Sequence, residues 1–193
     1  MCPGMYACRR TWLVQLDLFV VHWGIHFIPG TLADYQREVA HAAIDAGADL
    51  ILGHHAHILK GVEIYAGKAI LYSIGNFAMD LRMTPEHAAG QGFKEVQALS
   101  PGWEPDFDSL YNFPPDSRKT VIVRAELAAK GVETLELLPA WINDNAQPEP
   151  LSRDDPRHAE VVEYLRWCCA DQNLATCFVQ GEHGVSIEIG SSK

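Results

Sequence analysis

The segment Leu50-Ile51-Leu52-Gly53-His54-His55-Ala56-His57 joins a short apolar run to three histidines within four positions. Consecutive large aliphatic residues are typical of a strand buried on both faces of a parallel sheet. Gly53 lets the backbone leave such a strand sharply and lets a ligand approach closely, because it carries no side chain. The sequence therefore predicts a buried strand that ends in a histidine-bearing loop.

Two further apolar runs end in the same manner. Leu16 to Val21 leads into His22-Trp23-Gly24, and Ala69 to Tyr72 leads into Ser73-Ile74-Gly75-Asn76-Phe77. The first run contains β-branched and aromatic residues and is also expected to be a strand buried on both faces. Three strands that each finish in a polar loop predict an open α/β sheet that gathers a site at one edge.

A helix is predicted between the first two strands, from Leu32 to Ala46. Thr31 is its expected N-cap, and Gly47 supplies its end. The residues expected on its buried face recur at helical spacing: Tyr35, Val39, Ala42, Ala43 and Ala46.

The remainder of the chain alternates between loops and regular elements. The predictions are a loop from 83 to 117 with one helical turn at 86–89, a hairpin of 120–127 and 132–138 turning at 128–131, a linker at 143–150, a helix from Pro156 to about Asp171 capped by Asp155, and a strand pair of 177–180 and 185–189. That helix should face inward through Val161, Val162, Leu165 and Cys168 or Cys169. We assign residues 1–150 to one domain and 151–193 to an extension of the same domain.

Composition narrows the classes of partner. The formal charge is -10 over 193 residues, and no basic cluster is longer than Arg9-Arg10 or Arg118-Lys119, which argues against nucleic acid. An anionic substrate would require local charge to overcome this acidic average, and a bound cation is the simplest device. No signal peptide or membrane span is indicated, and the cellular location is left open.

Histidine is the commonest protein ligand for borderline transition metals, and four of the nine histidines lie at two strand ends. These are His22, His54, His55 and His57. Residues i and i+2 of an extended segment project to one side, so His55 and His57 should face one cavity and His54 should face away. Rings roughly 6 to 7 Å apart can serve two metals about 3.5 to 4 Å apart.

Structural interpretations compete with these functional ones. For the isolated histidines a hydrogen-bonded core or turn position is favoured: His26, His41, His87, His158 and His183. Asn76, taken alone, is more typical of a turn. The five cysteines indicate no disulfide framework, and Cys168-Cys169 favours packing over redox function. Aromatic residues between 103 and 113 either line a substrate cleft or fasten a loop to the core.

Five motifs then follow one another in order: His22-Trp23-Gly24, the segment from Tyr35-Gln36-Arg37-Glu38 to Ile44-Asp45-Ala46-Gly47-Ala48-Asp49, Gly53 to His57, Glu63-Ile64-Tyr65, and Tyr72 to Phe77. This order resembles CapA-like proteins, a family linked to poly-γ-glutamate capsule synthesis. The resemblance implies a calcineurin-like αββα sandwich with a site for two divalent ions, for which Mn, Fe and Zn are candidates. It also implies that His22, His55 and His57 are ligands.

The same resemblance suggests supporting roles for three residues, Gly53, Ser73 and Asn76, and His54 is a candidate proton donor to a leaving group. Two features depart from the family pattern. His26 stands where many members carry Glu, and the Gly-Asp strand end and Asn-Asn-His block of the family have no counterpart. We therefore interpret the chain as the C-terminal portion of the family domain.

Absence of the upstream strands predicts an uncovered apolar face around Val20, Ile51 and Leu71, and self-association through it. The leading functional hypothesis is a metal-dependent phosphoesterase-like protein of capsule or envelope polymer synthesis, with a phosphate ester or an anionic polymer-related substrate. The alternative is a non-catalytic metal-binding or assembly component of a polymer-synthesis complex. A third interpretation is a soluble α/β domain whose histidines are structural.

Overall fold

The computed structural model describes residues 16–128 and 131–189. The first sheet has the order β1-β2-β4-β3, in which β1, β2 and β4 are parallel and β3 is antiparallel to β4. Its strands are β1 Leu18–His22, β2 Leu50–His54, β3 Val62–Tyr65 and β4 Lys68–Leu71. The parallel register pairs His22 with His54, so the carboxyl ends of β1 and β2 meet at one edge. The predicted α/β class is confirmed.

The predicted helix is present as α1, Asp34–Asp45, but it presents a different face to the core. Gln36, Ala40 and Ile44 are buried, whereas Tyr35 and Val39 are exposed. The expected Thr31 cap is also wrong, because Ala33 occupies that position and its amide donates to Oε1 of Gln36 at 2.7 Å. A pattern of apolar residues leaves out the polar Gln36, so the predicted buried face is rotated around the helix from the observed one.

The second sheet is antiparallel, with the order β5-β6-β9-β8 and β7 paired to β6. Its strands are β5 Lys119–Ala128, β6 Gly131–Ile142, β7 Pro148–Pro150, β8 Phe178–Gln180 and β9 Val185–Ile187. The predicted hairpin and C-terminal strand pair are therefore present, although the supposed linker contains β7. Helix α4, Pro156–Asp171, begins at the predicted Asp155 cap and buries both Cys168 and Cys169.

The segment between the sheets is more ordered than expected. The helical turn at 86–89 is part of α2, Pro85–Ala89, and a second helix, α3 Gln91–Leu99, follows directly. A 3-10 turn covers Pro115–Arg118. Helix α3 was missed because Gly90, Gly92 and flanking polar residues are typical of loops.

One apolar core joins the two sheets. Ile51 and Leu71 from the first sheet lie in the same cluster as Leu135 from the second and Leu165 from α4. The expectation that Ile51 and Leu71 would be uncovered is wrong, since they are 0% and 1% exposed. Val20, at 56%, is exposed as expected, so β1 is not buried on both faces.

Several predictions concern residues outside the described ranges. They are Cys2, Cys8, the Arg9-Arg10 pair and the turn residues Ala129 and Lys130. Within the described ranges no helix combines the length and the apolar character needed to cross a membrane.

Packing alone is sufficient to require glycine at position 53, and its predicted role in ligand approach stays a prediction. A Cβ at this position would lie 2.1 Å from the carbonyl oxygen of Tyr72 and 2.6 Å from Nε1 of Trp23. That indole Nε1 donates to the same Tyr72 carbonyl at 3.0 Å. The missing side chain thus lets β2 lie against the hydrogen bond that joins the ends of β1 and β4.

Replacing Gly53 with Ala should lower the free energy of unfolding by about 3 kcal/mol, because both contacts involve atoms held in the sheet or in the core. Gly92→Ala is the matched control, since its Cβ would meet nothing within 4 Å. It should be neutral or stabilising by up to about 1 kcal/mol, because it removes a helical glycine. Urea unfolding measures both variants, and equal stability of the two would contradict this account of Gly53.

The second prediction concerns the exposed β1 strand, where Leu18 and Val20 are 46% and 56% exposed at the end of the first sheet. Exposed apolar edge strands favour association, and lysine on such a strand suppresses it. We predict that the chain self-associates and that Val20→Lys shifts it toward monomer in sedimentation experiments. Val39→Lys, on the exposed face of helix α1 and away from any strand edge, is the control. A monomeric wild-type chain would contradict the prediction.

Candidate functional site

Four histidines meet where β1 and β2 end. Nε2 of His22 lies 2.7 Å from Nδ1 of His55. The ring of His26 lies 3.9 Å from that of His55 and 5.9 Å from that of His57, measured between centroids. We call these four residues the histidine cluster. The structure thus brings together His22, His55 and His57 as the strand-end argument predicts, and their assignment as ligands stays a prediction.

The backbone conformation of His55 and His57 differs from the expected one. Strand β2 ends at His54, and His55 and His57 have φ values of 92° and 58°. Side chains other than glycine rarely adopt positive φ, and such residues are concentrated at functional sites. The extended segment expected for residues 55–57 is therefore wrong, and a left-handed bend turns both rings toward His26.

His26 was assigned a structural position from the sequence, and the structure places it inside the cluster instead. Its loop is fixed by Lys60, which is 2% exposed and whose Nζ donates to the carbonyls of Ile28 and Thr31. Burial lowers the pKa of Lys60 to about 8. The sequence feature that could have identified His26 is its position two residues after the His22-Trp23-Gly24 motif.

Two members of the cluster, His26 and His55, favour the neutral imidazole. Burial lowers the pKa of His26, and the nearby His57 and His22 lower it further. Burial likewise lowers the pKa of His55, with smaller contributions from His26, His22 and His57. The unprotonated forms of His26 and His55 are therefore favoured near neutral pH. In the contact between Nε2 of His22 and Nδ1 of His55, one nitrogen donates a proton and the other accepts it.

Asn76 connects His57 to a buried hydrogen-bond chain. Nδ1 of His57 lies 2.8 Å from Oδ1 of Asn76, and Nδ2 of Asn76 donates to the Tyr111 hydroxyl at 2.7 Å. The Tyr111 hydroxyl in turn donates to the Ser117 carbonyl at 2.7 Å. Asn76 is 7% exposed and Tyr111 1%, so water cannot readily replace these partners.

This chain of hydrogen bonds determines the tautomer of His57. A carbonyl oxygen only accepts, so Tyr111 must donate its proton to Ser117 and accept from Asn76. The Asn76 amide nitrogen therefore faces Tyr111, its oxygen faces His57, and Nδ1 of His57 carries the proton. In the neutral form of His57, Nε2 therefore carries the lone pair, the state that a metal ligand or a proton acceptor needs.

The other predicted site residues lie around this centre. His54 lines a separate cavity of about 280 Å³ with Phe77 and Thr120, and burial lowers its pKa, with a smaller effect from His22. Ser73 is buried, and its Oγ accepts from the Gly75 amide, so it shapes the loop that carries Asn76.

The donor atoms fit an ion only in part. Imidazole nitrogen suits borderline metals, and the Asn76 contact resembles the outer-sphere hydrogen bond of a ligating histidine. Within residues 16–128 and 131–189, however, no three His, Cys, Asp or Glu side chains form a group that could hold a metal ion. Residues 16–128 and 131–189 therefore do not by themselves fit the two-metal centre that the family resemblance implies.

The tautomer of His57 gives a testable prediction. In Tyr111→Phe the Asn76 amide loses its acceptor, so its orientation and the tautomer of His57 should become mixed. The free energy of unfolding should fall by about 1–3 kcal/mol, because buried polar groups lose partners. NMR of ¹⁵N-histidine-labelled protein should show Nδ1–H in the wild type and a mixture in the variant.

The control is Tyr65→Phe, which removes a tyrosine hydroxyl that donates to Asp45 at the surface, away from the cluster. It should leave the His57 signals unchanged. A wild-type spectrum with the proton on Nε2 of His57 would contradict the assignment.

Comparison with known proteins agrees with the motif order. Residues 9–81 match the family described as bacterial capsule synthesis protein PGA_cap. The chain is 31% identical over 161 residues to the PGA biosynthesis protein CapA of Bacillus subtilis (strain 168), a match that covers 82% of this chain and 33% of that protein.

Shorter matches involve two further relatives. The capsule biosynthesis protein CapA of Bacillus anthracis is 44% identical over 66 residues, covering 33% of this chain and 16% of that protein. A probable polyglutamine synthesis accessory protein of Mycobacterium tuberculosis (strain CDC 1551 / Oshkosh) is 42% identical over 59 residues, covering 31% and 14%. The chain thus spans about a third of the length of the Bacillus subtilis relative. The predicted resemblance to CapA-like proteins is confirmed by the family match over residues 9–81 and by the similarity to the Bacillus subtilis protein.

Proposed function

We propose that this chain supplies the histidine-bearing part of a metal-dependent, phosphoesterase-like protein of capsule or envelope polymer synthesis. The observation that carries the proposal is the convergence of four histidines at one sheet edge, with Nε2 of His57 held as a free lone pair. The names of the relatives in Bacillus support the association with capsule synthesis.

The chemistry of the cluster agrees with a role in handling a phosphoryl group. Neutral imidazoles accept protons from a phosphate monoester or from water. The rings also carry no negative charge that would repel the phosphate anion, unlike the acidic chain as a whole. His54 stays a candidate proton donor; because burial lowers its pKa, its protonated form would be a minor species at pH 7. Divalent ions would require oxygen ligands in addition to the four rings, because hard oxygen donors normally bridge and balance two such charges.

The alternative function is a non-catalytic metal-binding or assembly component. The incomplete ligand set within the described residues favours this alternative. The two proposals differ in one property that the chain itself can display. A phosphoesterase-like site binds the phosphoryl group at the histidines, whereas an assembly component has no reason to do so.

We predict that the chain hydrolyses 4-nitrophenyl phosphate at or near the background rate, because the histidine cluster lacks carboxylate ligands. Orthophosphate should nevertheless perturb the ring signals of His55 and His57, with and without added Zn²⁺. His55→Ala should abolish that response, and His183→Ala is the matched control, since His183 is an exposed histidine paired with Glu182.

Each outcome separates two interpretations. Zn²⁺ binding without any phosphate response would favour the assembly component. Neither Zn²⁺ nor phosphate binding would leave the histidines as structural residues. Turnover that disappears in His55→Ala would show that the site is complete within this chain, which would contradict the expected lack of activity.

A further inference from the structure

A pocket of about 490 Å³ lies beside the histidine cluster, between helices α2 and α3 and the segment 112–114. Its volume falls within the range of small-molecule sites, roughly 300–1,000 Å³. The side chains that form its apolar walls are Phe27, Met83, Phe93, Val96, Trp103 and Phe113. The charged residues that border it, Arg82 and Glu86, are exposed to solvent.

The walls of this pocket are fixed by contacts of their own. The rings of Phe93 and Trp103 lie 5.1 Å apart, and Nε2 of Gln97 donates to the Trp103 carbonyl at 2.9 Å. Met83, Trp103 and Phe113 are at most 9% exposed. The cavity is therefore largely formed before any ligand enters.

The pocket and the histidine cluster share a wall. The ring of Phe27 stacks on that of His57 at 5.5 Å, and the ring of Phe113 stacks on it at 5.3 Å. These two phenylalanines lie 6.2 Å from each other and also line the pocket. A group that enters the pocket would therefore lie one ring away from His57.

We propose that this pocket is an apolar subsite for the hydrocarbon part of a small amphiphilic ester, whose polar end is held at the histidine cluster. The walls offer aromatic and aliphatic surface and few polar partners, so a buried polar group would pay a desolvation cost there and a hydrocarbon would not. The pocket itself rests on geometry alone. Only its assignment to the ligand of the cluster rests on the proposed function.

Gly92 provides a way to fill the pocket without disturbing the fold. It lines the pocket within α3, its φ is not positive, and a Cβ there would meet nothing within 4 Å. Gly92→Phe should occupy the cavity, and Lys94→Phe, at an exposed position of α3 outside the pocket lining, is the matched control. Val96→Lys tests the same cavity independently by placing a charge in its wall, with Leu99→Lys on the exposed side of α3 as its control.

The probe is 1-naphthol, titrated into the protein while the methyl signal of Met83, which every variant retains, is followed by NMR. We expect Gly92→Phe and Val96→Lys to weaken binding at least about tenfold, since each removes or charges the apolar surface that the ring would bury. Lys94→Phe and Leu99→Lys should bind as the wild type does. Folding of each variant is checked by a cooperative melt. Undiminished binding to both folded pocket variants, or no binding to the wild type, would overturn the proposal.

A second probe, 1-naphthyl phosphate, tests the connection to the cluster. It should bind the wild type about tenfold more tightly than 1-naphthol, which corresponds to about 1.4 kcal/mol, and His55→Ala should remove that advantage while leaving 1-naphthol affinity unchanged. Equal affinities for the two compounds would overturn the assignment of the pocket to the ligand of the cluster. A phosphate response at His55 without naphthol binding would overturn the subsite and leave the proposed function intact.

Discussion

The close passage of the chain at Gly53 constrains everything around the histidines. Only hydrogen atoms fit between the Gly53 α-carbon and the Tyr72 carbonyl, and the Trp23 indole, which also approaches Gly53, donates to that carbonyl. The Gly53 carbonyl also accepts from the Ile74 amide at 3.1 Å, which fixes the start of the loop that carries Asn76. The ends of β1, β2 and β4 are thereby held together, and each contributes a residue to the site.

Hydrogen bonds, as well as the apolar core, connect these strand ends to the second sheet. Thr120 of β5 donates to the carbonyls of Ile74 and Asn76, and Tyr111 connects Asn76 to the 3-10 turn before β5. The histidine cluster therefore depends on segments 50 or more residues away in sequence. Since Asn76 is buried and fully partnered, the orientation of His57 follows from the packing of both sheets.

The lowered pKa values in the histidine cluster and the aromatic rings beside it have a common origin in the packing of this region. Desolvation by the surrounding core and repulsion among the rings both lower the pKa values of His26 and His55. Phe27 and Phe113 contribute to the same environment by stacking on His57. His22 and His26 remain exposed to solvent, so only partial burial favours the unprotonated form, and the same two phenylalanine rings form part of the adjacent cavity.

The sequence by itself determined the strands other than β3 and β7, the capped helix α4 and the histidine motif, because each follows from local patterns of apolar residues and caps. Only the tertiary structure decided three other features. His26 joins the cluster because Lys60 holds its loop, α1 buries Gln36 because the side chain satisfies the Ala33 amide, and Gly53 is needed because Tyr72 and Trp23 approach it. Each depends on a contact between residues distant in sequence or on a polar group satisfied in the fold, and hydrophobic periodicity carries no information about either.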